Sequence, residues 1–196
     1  MRFLLLTVVI AALPLSACTG TRMLVTPDST AVQTPVARSG EKVGLRAASG
    51  GKTYPPAGNL TEGFSSYLAH DIYPDGVFYP ARPDDKVDYT LDSKFSVEMD
   101  PHTGSLIAKS FFTGLTLFLL EPLLWYDFDY TVTAEVTVLK DGKPVSTLNK
   151  ETTARMGAKW LSLSEIPRLE GEVLDQAKAS IYKQLANDLP PTTPAR

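Results

Sequence analysis

One cysteine and two histidines are the only thiol and imidazoles in the 196 residues, and they bound the chemistry at the outset. Cys18 follows Leu15-Ser16-Ala17. A small residue ahead of it suits the extended backbone that a signal peptidase groove accepts, and its thiol is the one nearby nucleophile able to take a diacylglyceryl group. Beyond Cys18 no cysteine remains for a disulfide, a second thiolate or a zinc cluster. His70 stands beside Asp71 at the end of a helical pattern, where a cation meets the helix dipole favourably, and reads as a surface residue. His102 lies in Asp100-Pro101-His102-Thr103-Gly104, which reads as a turn. No histidine pair has ligand spacing, so neither a metal nor a cofactor is expected.

The remaining candidates for catalysis fail on spacing. Asp84-Asp85 and the Asp127/Asp129 pair read as solvated turn and strand residues rather than an acid/base couple. Ser49-Gly50-Gly51-Lys52-Thr53 ends like a phosphate-binding loop. Arg46, however, occupies the position of the first glycine, and Tyr54-Pro55-Pro56 follows where a helix must open. Gly63-Phe64-Ser65-Ser66-Tyr67 lacks the second glycine of a nucleophile elbow. The chain is therefore read as non-enzymatic.

Ahead of Cys18 lie Arg2, an apolar run over 3–13 and small residues before the cut, which are the three parts of a secretory leader. The run meets Pro14 and Ser16 well short of the roughly 20 apolar residues that span a bilayer. On these residues the chain resembles bacterial lipoproteins, with Leu15-Ser16-Ala17-Cys18 as the lipobox. The resemblance implies that the signal peptide, 1–17, is removed and that Cys18 becomes the lipidated first residue. Several acyl chains on one cysteine hold firmly, at about 0.8 kcal/mol per buried methylene. In that family an aspartate after the cysteine retains the protein in the inner membrane. Thr19 is not aspartate, so the resemblance implies the outer membrane, periplasmic side.

Nineteen basic residues against twenty-two acidic ones leave a net charge of −3, with the cations scattered. This excludes a nucleic-acid partner. Residues 18–40, rich in Thr, Ser, Pro, Val and Gly, read as the lipidated cysteine and a flexible tether. Met23-Leu24-Val25 is the alternative, an edge strand. One periplasmic domain is expected over 41–189, followed by a loose tail over 190–196.

Within that domain, Val43, Leu45 and Ala47 alternate as a first strand. Asn59 reads as the cap of a helix whose apolar face is Leu60, Phe64, Tyr67, Leu68 and Ile72. Val77-Phe78-Tyr79 is a short strand, expected to pair with the one that follows. Residues 87–100 alternate with only Ser93 breaking the apolar row, and Phe128, Tyr130, Val132, Ala134, Val136 and Val138 repeat the pattern. A strand with one wet face fits an antiparallel sheet covered on one side. Asp141-Gly142 reads as a hairpin turn into a more polar strand over 145–154, expected at an edge. A last helix over 167–189, with Pro167 in its first turn and Ser164 as its cap, buries Leu169, Val173, Leu174, Ala177, Ile181 and Leu185. The fold class is α+β, a two-layer sandwich with two helices on one face of a mainly antiparallel sheet.

The segment 105–126 is the most apolar window of the mature chain and exceeds what neighbouring antiparallel strands need as a connection. Lys109, Glu121 and Pro122 argue against a transmembrane helix. Two readings stand: a buried crossover or further strand over the sheet, or a protruding element that packs on a neighbouring subunit or dips into the leaflet. Phe111, Phe112, Leu117, Phe118 and Trp125 are then the candidate contacts. In element order, about 42–189 resembles the small periplasmic domains of curli-secretion, Pel-polysaccharide export and penicillin-binding-protein activator lipoproteins. That likeness implies a binding or scaffold role in envelope assembly or export, with an envelope protein or further copies as partner. The alternative is a lipid or glycan carrier whose apolar groove is formed by 105–126.

Overall fold

Three long strands with period-two alternation dictate the architecture. The structure is a computed structural model, and it describes residues 20–27, 36–48, 54, 57–116 and 124–190. Tyr89–Asp100 (β4), Trp125–Lys140 (β5) and Lys143–Lys159 (β6) pair antiparallel in sequence order. Asp141 and Gly142 both have positive φ, 50° and 74°, as a two-residue hairpin with the right twist requires. On the dry face Leu91, Phe95 and Val97 lie beside Tyr130, Val132, Ala134, Val136 and Val138, all buried. Ser93, the break in the apolar row, is buried too. Its hydroxyl donates to the Arg46 carbonyl at 3.0 Å, which satisfies the polar group.

Thr21–Pro27 (β1), Val43–Ala47 (β2) and Val77–Phe78 (β3) enlarge this unit into one sheet ordered β1-β6-β5-β4-β2-β3. Strand β2 runs parallel to β4 and to the two-residue β3. The short strand thus pairs with β2 and not with the strand after it, because helix α1, Leu60–Tyr67, carries the chain back across the sheet between them. The edge expected for β6 is filled over 152–158 by Thr21–Pro27 (β1). The tether reading of 18–40 gives way there to the edge-strand alternative, since Met23, Leu24 and Val25 find backbone partners on β6.

Helix α1 starts where Asn59 accepts the Glu62 N–H at 3.2 Å, and it continues through a wider turn at Leu68–Ile72. A second helix, Thr103–Leu115 (α2), occupies part of the apolar connector, so the described chain has a third helix beyond the two expected. The last, Ile166–Asp188 (α3), follows a tight turn at Trp160–Glu165. Ser164 lies inside that turn. The cap position belongs to Glu165, and no side chain bonds there.

Helices α1 and α3 cover the dry face. Phe64 is fully buried, with its ring 5.8 Å from Phe95 and 5.3 Å from Tyr182. The Tyr182 hydroxyl donates to the Leu60 carbonyl at 2.7 Å. At the other end of α3, Glu170 accepts from Tyr54 at 2.6 Å and from Tyr130 at 2.9 Å. Burial first, and then this carboxylate, push the Tyr130 hydroxyl above its ordinary range. Phe64→Ala should cost about 3–5 kcal/mol of unfolding free energy. Phe111→Ala, on the outside of α2, should stay within about 0.5 kcal/mol. Urea denaturation followed by circular dichroism reads both.

Candidate functional site

The other face of the sheet is polar, and its chemistry gathers at one end. Alternation places Asp127 and Asp129 of β5 on this face, with Gly157 and Arg155 of β6 opposite them. Arg22 of β1 stands beyond Gly157 and reaches across it, donating to Asp127 Oδ1 through Nη2 at 2.6 Å and Nε at 3.2 Å. A Cβ at position 157 would collide with that oxygen. Arg155 binds Asp129 with two parallel bonds of 2.6 and 2.5 Å, the fork geometry that guanidinium and carboxylate share. His102 Nε2 lies 3.0 Å from Asp129 Oδ2. Arg155 above all, with His102 adding to it, holds the Asp129 carboxyl below the usual carboxylate range against the opposing effect of burial.

This network seats α2. His102, two residues past β4 and at the cap position of α2, is in the left-handed region, φ 48°, where Asp100 Oδ1 accepts its N–H at 2.8 Å. About two turns into the helix, Lys109 Nζ donates to the Trp125 carbonyl and lies 4.0 Å from Asp127 Oδ2. Leu106, Lys109, Thr113 and Thr116 are the more buried positions, at helical spacing. Ile107, Phe111, Phe112 and Leu115 point away, each 57–66% exposed. The polarity is inverted relative to a helix that covers a core. Four of the nine exposed large apolar side chains among the described residues stand on this one helix.

Beside it, the Trp125 ring carries Arg22 at 4.6 Å and Lys159 at 5.5 Å from its centroid. Trp125 faces the polar side, and its neighbour Tyr126 takes the core parity. At the opposite end of β5 a shallow cleft of about 380 Å³ lies between Arg46, Arg82, Asp88 and Tyr89. It carries both signs of charge and so favours neither an anion nor a cation.

No protein-family model and no curated protein matches the chain. The candidates named from the sequence divide as follows. Cys18, Leu117, Phe118 and the Ser49–Thr53 loop motif lie outside the described residues. Phe111 and Phe112 are on the outside of α2, which for the described part of the connector replaces a buried crossover or further strand with a protruding helix. His70 pairs with Asp71 at 3.0 Å on the surface, and Asp85 closes a turn by accepting the Arg82 N–H at 2.6 Å. Asp127 and Asp129 are ion-paired groups, only 22% and 14% exposed, rather than solvated ones. Their partners lie 105 and 26 residues away, beyond the reach of local spacing. Among the described residues no cluster of His, Cys, Asp and Glu can hold a metal, and no helix is long and apolar enough to cross a membrane.

The native pKa of Asp129 is below its unfolded value, so its stabilisation is complete above pH about 4 and is lost as pH falls through the native value. Carboxyl-carbon NMR should show Asp129 titrating below the ordinary aspartates, and Arg155→Met should move it upward and flatten the acid limb of the stability profile.

Proposed function

We propose that this chain is a non-enzymatic lipoprotein of the bacterial envelope, held through acyl chains on Cys18 at the periplasmic side of the outer membrane. Its α+β domain acts as a binding or scaffold subunit in envelope assembly or export, with α2 as the partner or membrane contact. The observation that carries this reading is the outward stripe of Ile107, Phe111, Phe112 and Leu115. Water-exposed rings and branched chains at this density are retained where something covers them. The side chains that could have served catalysis at this end, His102 and the two aspartates, are engaged with arginines or with each other. They hold α2 in place and leave no nucleophile beside a base.

The lipobox supports the anchor, and the exposed stripe favours a contact surface over a carrier's enclosed groove. The test is made in a Gram-negative host fed labelled palmitate. The wild-type chain should take up label, lose residues 1–17 and remain with washed outer membranes. Cys18→Ala should take up none and keep its leader. In the same membranes a short-span crosslinker should trap the wild type in a discrete complex. Absent palmitate label on the wild type would overturn the anchor; a domain that stays uncrosslinked at every dose would overturn the scaffold.

A further inference from the structure

Resting on that reading of Cys18, we propose that the occupant of the apolar stripe is the phospholipid leaflet that holds the anchor, and that α2 and Trp125 dock the domain onto it. The position of the chain's entry into the fold carries the argument. Gly20 is fixed at this end of the sheet: its N–H donates to the Ser162 hydroxyl at 3.1 Å and its carbonyl accepts the Lys159 N–H at 2.9 Å. It packs against Trp125 so closely that a Cβ on Gly20 would lie 3.2 Å from the ring. Cys18 is two residues upstream, and two residues of extended chain span at most about 7 Å. The attachment point therefore lies within about 7 Å of Gly20 along the chain, and Gly20 packs on Trp125, whose carbonyl in turn holds Lys109 of α2. Anchor, indole and apolar helix share one end of the molecule.

The chemistry around the indole matches a lipid–water boundary. Trp125 is flanked by Arg22 and Lys159, an amphipathic ring between two cations that suits the level of phosphate headgroups. On α2, Ile107, Phe111 and Leu115 recur every four residues with Phe112 beside them, so the 13-residue helix presents one continuous apolar edge along about 12 Å. An edge of that shape enters the boundary between headgroups and acyl chains lying flat. It is narrow for a second protein copy, since a stable interface takes roughly 20–30 residues a side.

The test uses the mature lipidated protein, extracted in detergent and returned to vesicles of phosphatidylethanolamine and phosphatidylglycerol with bromine on the acyl carbons nearest the glycerol. Trp160→Phe leaves Trp125 as the sole tryptophan. Its emission should fall about twofold relative to unbrominated vesicles, as expected for a ring at a depth of roughly 5–10 Å. Phe111→Asp combined with Phe112→Asp should abolish that quenching, leaving thermal unfolding and flotation with the vesicles unchanged. Leu115→Asp alone should weaken the quenching in the same way. A wild type that floats without being quenched overturns the docking and leaves the anchor standing. A wild type that does not float overturns the anchor. Quenching that survives the aspartates, or a crosslink from position 111 to a second copy in place of quenching, also overturns the docking.

Discussion

The covered half of the molecule depends on the approach of α1 to α3 at Gly63. A Cβ there would stand 2.7 Å from the Tyr182 hydroxyl, so any side chain would push the tyrosine off its bond to the Leu60 carbonyl. The tyrosine occupies the space instead, donating to the Leu60 carbonyl while its ring packs on Phe64 and Phe95. One residue thus closes a polar group and fills an apolar gap. The sheet beneath can then be dry on one side, because two helices at that separation cover β4, β5 and β6 together.

The open side obeys the opposite rule. Its paired charges sit near water, where isolated ion pairs contribute about 0–1 kcal/mol. Their value lies in geometry. A bidentate arginine on Asp129 and a second arginine reaching over Gly157 tie the start of β5 to β6 and to β1, and His102 and Lys109 attach α2 to those fixed points. The helix needs such fastening because Ile107, Phe111, Phe112 and Leu115 face away from the fold, which leaves Leu106 as its one large apolar residue turned inward.

What the sequence made legible follows the range of each interaction. The Asn59 cap, the Asp141-Gly142 turn, the alternation of β4 and β5 and the buried stripe of α3 are local, and each stands where spacing placed it. The place of β6 was not legible, because its neighbour β1 lies over a hundred residues earlier within a stretch of otherwise tether-like composition. The same distance concealed Arg22 from Asp127. For α2 the fourfold spacing of Ile107, Phe111 and Leu115 was present, but an apolar stripe tells only that a face exists. Whether it turns inward is decided by Lys109 and His102 finding partners on another strand.

The seating of β1 also imposes an order in time. Thr21 pairs with Ala158 and Pro27 with Thr152, so the earliest strand of the domain has no template until the chain has been delivered almost to its last helix. The hairpin of β5 and β6 closes over two residues and forms without waiting, whereas the segment adjoining Cys18 is the last piece of sheet to find its place. For as long as β6 is incomplete, β1 has no place in the sheet, and the N-terminal end of the domain stays open to whatever acts on it.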